Sequence, residues 1–217
     1  MRSLKRYIGE IINESILDDE DVLLDPERDK EIIKSWIEDN CKIRSHLKIN
    51  DDLTVDCSGG VTIKNCNIES LTNGLFRWGK IGGGFDCSQC DKLISLEGAP
   101  KEVKKSFNCD RCKNLKSLEC APEKVGGNFS CSWCRNLKSL KGAPRKIEGD
   151  FSCSFCDGLI SLEGAPKEVG RHFSCSGCEN LRSLEGAPVK VGEDFECDNC
   201  KNLKLTDYDL KKYKIES

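Results

Sequence analysis

The feature that most restricts the fold of this chain is a unit of 22 residues that recurs six times, without an insertion, between Phe85 and Leu205. With few substitutions each copy reads F-x-C-x-x-C-x-x-L-x-S-L-E-G-A-P-x-x-V, and three residues separate it from the next Phe. Strict self-similarity at a period between 20 and 50 residues is typical of solenoids, in which each unit packs only on its neighbours. The repeat therefore predicts an elongated stack of similar coils.

The local pattern within one unit predicts which residues face the interior. Residues two apart lie on the same face of a strand, so we expect Phe85 and Cys87 to point inward and the residues between them to point outward. The segment from Leu96 to the next Phe is too short for a helix with its turns, and we expect an extended backbone on this convex side. Cys120 replaces the glycine of E-G-A-P in one copy, which predicts that this position does not require a positive φ.

The unit resembles a leucine-rich repeat, whose core line is L-x-x-L-x-L-x-x-N/C-x-L. Phe85 and Cys87 stand in the two strand leucine places, and Cys90 stands in the Asn/Cys place. The stretch L-x-S-L-E-G-A-P-x-x-V is similar to the short repeats of bacterial effector proteins, and the resemblance covers residues 61–205. It implies a β-rich solenoid of short parallel strands with an extended convex side. It also implies that Cys90 and its equivalents satisfy backbone groups of the turn.

A second resemblance concerns the origin of the chain. The repeat, together with the stretch E-S-I-L-D-D-E-D-V-L from Glu14 to Leu23, is similar to uncharacterised repeat proteins of tailed phages that infect gut bacteria. It implies a phage-encoded protein that acts in the host cytoplasm or on the virion. Gly9 and Glu10 interrupt any signal-peptide core, and no run approaches the roughly 20 apolar residues of a membrane span. We therefore expect a cytoplasmic protein, with its thiols reduced.

The segments outside the repeats divide the chain further. The apolar residues of Leu4–Ile16 have the spacing of an amphipathic helix. Its apolar face could pack on the solenoid or on the next helix, or it could dock on another protein. Asp25 and Pro26 predict the start of a second helix that ends near Asn40, and alternating residues from Leu47 to Ile63 predict short strands. The predicted parts are a helical, acidic extension (1–41), an N-terminal cap with a degenerate repeat (42–84), the solenoid (85–205) and a polar C-terminal cap (206–217).

The balance of charge argues against a nucleic-acid-binding protein. The chain has a formal net charge of −3, and residues 1–40 contain 6 Lys and Arg against 12 Asp and Glu. Nucleic-acid-binding domains instead carry a strongly basic face. The polar face of the first predicted helix also mixes both signs, unlike a helix that lies on a membrane. We expect neither a nucleic acid nor a membrane as a partner.

The sixteen cysteines leave three interpretations open. Cys90 and Cys109 enclose 18 residues, a spacing at which two C-x-x-C pairs form a four-cysteine zinc site. However, the pairs are identical in all six units, whereas zinc sites shared by two units would make neighbours alternate. The first cysteine of each pair also fills a strand place that suits a small, buried thiol. Structural thiols, zinc sites between adjacent repeats and disulfides remain, and we predict structural thiols and no cofactor.

The sequence predicts no catalytic site. The chain has two histidines, His46 and His172, and no motif brings either of them to a cysteine as thiol catalysis requires. The glycine runs at 82–84 and 126–127 precede strands rather than helices, so they are not phosphate loops. We therefore predict that the protein is not an enzyme.

The most variable outward position lies just before each second cysteine. Trp133 and Phe155 occupy it in adjacent units with Arg111 beside them, and the small residues Ser132 and Ser154 precede the two rings. Aromatic and arginine side chains are common binding hot spots, although both rings could instead fold into the core at the corner. We predict a monomeric, non-catalytic scaffold that binds a protein partner through these residues. The alternative is a zinc-stabilised structural module with four-cysteine sites between adjacent repeats.

Overall fold

The computed structural model describes residues 25–63 and 67–215, which form a β-solenoid with a short helix near each end. The predicted helix over Leu4–Ile16 lies outside the described residues. Among the helices of the described residues, none combines the length and the apolar character needed to cross a membrane.

The first helix, α1 (Pro26–Asn40), begins where its N-terminal capping chemistry predicts. The Asp25 carboxylate accepts hydrogen bonds from two backbone N–H groups of the first turn, and proline occupies the first helical position. Ile33 and Ile37 are buried against the first coils, so one face of α1 covers this end of the hydrophobic core.

Two kinds of two-residue strand alternate through the repeats, one beginning with Phe and one ending with Val or Ile. They follow five strands of the cap: β1 (Cys41–Ile43), β2 (Leu47–Ile49), β3 (Thr54–Cys57), β4 (Val61–Ile63) and β5 (Arg77–Ile81). The Phe strands are β6 (Phe85–Asp86), β8 (Phe107–Asn108), β10 (Phe129–Ser130), β12 (Phe151–Ser152), β14 (Phe173–Ser174) and β16 (Phe195–Glu196). The others are β7 (Glu102–Val103), β9 (Lys124–Val125), β11 (Lys146–Ile147), β13 (Glu168–Val169) and β15 (Lys190–Val191).

The strands form two sheets that run along the solenoid. The Phe strands follow β1 and β4 in one sheet, and the other strands follow β2, β3 and β5 in the second. Pairing is parallel except between β1 and β4 and between β2 and β3. Each repeat pairs in register with the next, as Phe129 does with Phe151. The predicted solenoid of short parallel strands is confirmed, and part of its extended convex side forms a second sheet that the sequence did not predict.

A column of stacked Phe rings fills the interior. Neighbouring ring centroids lie 5.0 to 5.7 Å apart, and the rings from Phe85 to Phe173 are completely buried. Trp78 closes the N-terminal end of the column edge-on, at 5.7 Å from Phe85. At the other end Tyr213, in the last turn of helix α2 (Asp207–Tyr213), stacks on Phe195 at 4.1 Å. Both ends of the column are therefore covered by aromatic rings.

The glycine position of E-G-A-P does require a positive φ, contrary to the prediction drawn from Cys120. Cys120 has φ of 67°, and the glycines at the same place in the other copies have φ between 84° and 96°. The N–H of Ala121 donates to the carbonyl of Leu118, which closes a four-residue turn with Cys120 as its third residue. Turns of type II need a positive φ at that residue. Cys120 therefore adopts a backbone conformation that glycine adopts more readily.

Candidate functional site

One corner of the solenoid carries six residues in the left-handed backbone conformation, which we call the left-handed column. Their φ angles lie between 57° and 72°. From the first to the fifth coil the backbone fixes this conformation, because the N–H donates to a carbonyl of the next coil; the N–H groups of Arg111, Trp133 and Phe155 do so at 2.8 Å. The left-handed column consists of Gln89, Arg111, Trp133, Phe155, Gly177 and Asn199.

Trp133 and Phe155 form a stacked ring pair on neighbouring coils. Their centroids are 4.2 Å apart and their planes differ by 13°. The side chains retain 36% and 39% of their exposure, so neither ring folds into the core. The other face of Phe155 covers Gly177, where an added Cβ would lie 2.5 Å from the ring atoms Cδ1 and Cε1. The ring pair therefore presents mainly its edges to solvent.

Arginine side chains flank the ring pair. Arg111 is exposed on the preceding coil, as the sequence predicted. Arg135, which no sequence pattern singled out, places its guanidinium carbon 5.7 Å from the centroid of the Trp133 ring. Its Nε lies 3.7 Å from the Asp157 carboxylate on the next coil. The signal for Arg135 was its position two residues after Trp133, on the same corner.

The two predicted serines lie beside the ring pair but have their hydroxyl groups engaged. Ser132 is buried, its hydroxyl oxygen lies 2.7 Å from that of Ser152, and its N–H donates to the Asp110 carboxylate. The hydroxyl oxygen of Ser154 lies 2.8 Å from that of Ser174. These serines belong to a hydrogen-bonded ladder on the outer face of the first sheet. Of the five predicted site residues, the structure brings Arg111, Trp133 and Phe155 together as exposed side chains.

The cysteines form two ladders of hydrogen bonds between coils. The thiol of each first cysteine from Cys87 to Cys175 donates to a carbonyl of the following coil, as Cys109 does to Ser130 at 3.4 Å. The thiol of each second cysteine from Cys112 onward donates to the carbonyl of the first cysteine in the preceding coil, as Cys134 does to Cys109 at 3.2 Å. The cysteines of the described residues are free thiols. They act as small apolar residues that also satisfy backbone carbonyls.

The first cysteines from Cys87 to Cys175 are held in their protonated form. A hydrogen bond to the Cys134 thiol and burial raise the pKa of Cys109 well above its ordinary value, and burial raises the pKa of Cys87. Cys200 differs, because a hydrogen bond with the Cys175 thiol lowers its pKa to about 7. Burial raises the pKa of the neighbouring Cys197 to about 11. The lowered pKa of Cys200 therefore favours a reactive thiolate at the last of the described coils.

The described residues include no preformed metal site, and His172 lies beside carboxylates. In the part of the chain that the structure describes, no three His, Cys, Asp or Glu side chains are grouped to hold a metal ion. His172 faces carboxylates, with its Nε2 2.6 Å from Glu193 and its Nδ1 3.1 Å from Asp194. The zinc sites considered from the spacing thus have no preformed ligand group among the described residues.

A groove of about 440 Å³ lined mainly by charged and polar residues lies on the second sheet, across its strands β3, β5, β7 and β9. Asp56 lies in this groove, and both of its carboxylate oxygens already accept hydrogen bonds, from the N–H of Lys80 and from the side chain of Asn50. The groove mixes cations and carboxylates. It therefore has no single charge preference, and the ring pair is the stronger candidate site.

Comparisons of the chain with protein-family models, with curated proteins and with solved structures found no match. The fold and the site geometry therefore define the class: a repeat β-solenoid of 22-residue coils with stacked Phe and Cys ladders inside and an exposed aromatic pair on one corner.

Proposed function

We propose that the protein is a non-catalytic scaffold that binds a protein partner, with the Trp133–Phe155 ring pair and Arg111 as the anchor. The observation that supports this most is the backbone under the rings. Both residues adopt the left-handed conformation, whereas Gly177 and Asn199 occupy equivalent places with residue types that adopt it readily. Strained backbone occurs preferentially at binding and catalytic sites, so the left-handed backbone observed at the two rings supports a binding role for them.

The energetic balance at these positions does not favour a purely structural role. The left-handed conformation costs a residue other than glycine roughly 1–2 kcal/mol. Stacking of two aromatic rings contributes about 0.5–1.5 kcal/mol beyond the area that they bury. The two strained residues together cost about 2–4 kcal/mol, which is more than their single stacking contact contributes, so stacking alone does not account for the strain. Aromatic and arginine residues of this kind commonly dominate the energy of protein interfaces.

The resemblances extend the proposal to the type of scaffold. The thiols of Cys112 and its equivalents satisfy coil carbonyls, which is the role that the Asn/Cys place has in leucine-rich repeats. We therefore propose that the chain is a leucine-rich-repeat-like scaffold, monomeric and cytoplasmic. We further propose that it is phage-encoded and that its partner is a host or virion protein.

To test the proposal, the wild-type protein and the Trp133→Asn and Phe155→Gly variants are immobilised and used to capture binding proteins from cell extract. Each captured protein is then purified and titrated against all of the variants. Tyr208→Asn is the matched control, because Tyr208 is an aromatic residue on helix α2 that is 68% exposed. A true partner should bind wild type and control equally, and it should bind the ring variants at least about 30-fold more weakly, which corresponds to about 2 kcal/mol. A partner that binds all four proteins equally would refute the anchor.

A further inference from the structure

Exposed apolar side chains occur along two lines of the repeat. Besides Trp133 and Phe155 in the left-handed column, Ile94 is exposed at 55% and Ile160 at 57%. Both isoleucines belong to a second line of residues, five positions after the left-handed column, which we call the basic column. Backbone hydrogen bonds join its neighbouring coils, such as that from Lys138 N–H to the Lys116 carbonyl at 3.2 Å. The basic column consists of Ile94, Lys116, Lys138, Ile160, Arg182 and Lys204.

The two columns carry positive charge, and exposed glutamates such as Glu97, Glu163 and Glu185 follow the basic column three residues later. The basic column contains four cations and no carboxylate, and the left-handed column contains Arg111 and no carboxylate. Carboxylates occur between the two columns, but cations of adjacent coils neutralise them. Three ion pairs shorter than 4 Å join these carboxylates to cations of adjacent coils. The pairs are Lys113–Asp91, Arg135–Asp157 and Lys201–Glu179.

We infer that the partner segment that binds this corner is an acidic peptide, with apolar side chains packed on the ring edges and on Ile160 and with carboxylates facing Arg111, Lys116 and Lys138. This inference rests on the proposed function and specifies its partner. Six coils at about 4.8 Å span roughly 24 Å, which an extended segment of about seven residues covers. Complementary charge contributes mainly to specificity and to the rate of association, and the ring pair contributes the anchor.

The ring pair fits amino-acid side chains better than nucleobases. Proteins that bind single-stranded nucleic acid stack successive bases on separate aromatic faces. Here Trp133 covers one face of Phe155 and Gly177 lies against the other, so Phe155 has no face for a base. The 4.2 Å separation of the rings also leaves no room between them. A leucine or phenylalanine side chain of a peptide can instead pack against the exposed ring edges.

The test measures fluorescence anisotropy of three labelled probes with the full chain: a short peptide of alternating glutamate and phenylalanine or leucine, the same peptide with glutamine for glutamate, and oligothymidylate. We expect the acidic peptide to bind at least about tenfold more tightly than the glutamine peptide at low salt, and this advantage should shrink as salt screens the charges. A Lys116→Gln/Lys138→Gln variant should weaken the acidic peptide about tenfold. The control Lys101→Gln/Lys167→Gln, which removes two exposed lysines beside the second sheet, should not.

The outcomes separate this inference from the function on which it rests. Suppose that both peptides bind equally, and that this binding is lost in Trp133→Asn but unchanged in the lysine variant. This result would overturn the acidic preference and leave the ring anchor standing. Binding of neither peptide, or binding that Trp133→Asn does not weaken, would overturn both proposals. Tighter binding of oligothymidylate than of the acidic peptide would replace the protein partner by a nucleic acid. Circular dichroism of each variant verifies that it is folded.

Discussion

Raising the pH from 7 to 10 should remove most of the stability of this solenoid, because its interior thiols ionise only after unfolding. Hydrogen bonds to neighbouring thiols and burial raise the pKa of four first cysteines, and burial raises that of Cys87. An acid whose pKa is raised by folding stays protonated in the native state, while the unfolded chain releases the proton above the ordinary pKa. The unfolded state then binds fewer protons, and the free energy of unfolding falls as the pH rises.

The size of the effect follows from the number of thiols. With an unfolded pKa of about 8.5, each thiol lowers the free energy of unfolding by about 0.8 kcal/mol at pH 9 and about 2 kcal/mol at pH 10. The five first cysteines from Cys87 to Cys175 together lower it by about 4 and about 10 kcal/mol. Because whole domains are stable by about 5–15 kcal/mol, the loss at pH 10 is comparable with the entire stability.

The assay is urea unfolding followed by circular dichroism at several values between about pH 7.5 and pH 9.5, below the range in which lysines titrate. Cys153→Ala removes one ionising thiol and should make the dependence on pH shallower by up to about 1.4 kcal/mol per pH unit. Phe151→Ala is the control, because it lowers the stability at every pH without removing a thiol and should leave that dependence unchanged.

Two results would refute the reasoning. If ultraviolet absorbance showed thiolates forming while the native circular dichroism persisted, the interior thiols would be accessible to solvent. If the free energy of unfolding were flat up to pH 9.5, the cysteines would already be disulfides or metal thiolates. A zinc-bound solenoid would instead lose stability at acid pH, because protons compete with the metal for its ligands.

Three further substitutions test other parts of the structure by chemical unfolding. Cys120→Gly should stabilise the protein by about 1 kcal/mol by relieving a left-handed backbone conformation, and an unchanged or lower stability would contradict this. Phe151→Ala and Phe195→Ala should each lower the stability by about 3–5 kcal/mol. The two losses should be similar, because Tyr213 supplies the second ring neighbour of Phe195. A loss at Phe195 below about 1 kcal/mol would show that this cap contributes little. Trp133→Asn should change stability by no more than about 1 kcal/mol, and a loss above about 3 kcal/mol would place the ring in the core and remove the anchor proposal.

The parts of the fold that depend on local chemistry or on the strict repeat were predictable from the sequence. The start of α1 (Pro26–Asn40) follows from a capping aspartate and a first-turn proline, and the stacking of Phe rings follows from a period without insertions. The second sheet was not predictable, because its two-residue strands are too short to show a periodicity and their partners lie 22 residues away. The prediction from Cys120 was wrong because it gave one substitution more weight than the glycines of the other copies, which carried the turn signal.

The candidate site was predictable in composition but not in conformation. The period places Trp133 and Phe155 on neighbouring coils, and the structure has them stacked there. The left-handed backbone was missed, although Gly177 and Asn199 at the same position are the residue types that adopt it most readily. The engagement of Ser132 could not be predicted, because it depends on hydroxyl and carboxylate groups of neighbouring coils meeting at hydrogen-bond distance.

Cysteine suits the two inner ladders because each place needs a small, mainly apolar side chain that can still donate one hydrogen bond to a coil carbonyl. At the second cysteines alanine would leave the carbonyl without its thiol donor, at a cost of about 1–3 kcal/mol, whereas the carbonyl at each first cysteine from Cys87 to Cys175 also accepts a backbone N–H. At the first cysteines, beside the Phe rings, asparagine would bring further polar groups that the apolar lining cannot satisfy, whereas a thiol has one weak donor and one weak acceptor. The choice makes the core dependent on protonated, reduced sulfur. Since only thiolates react readily, the raised pKa of thiols such as Cys109 protects the ladders at neutral pH. Cys200, with a pKa of about 7 in the last coil, is the ladder thiol at which oxidation would begin.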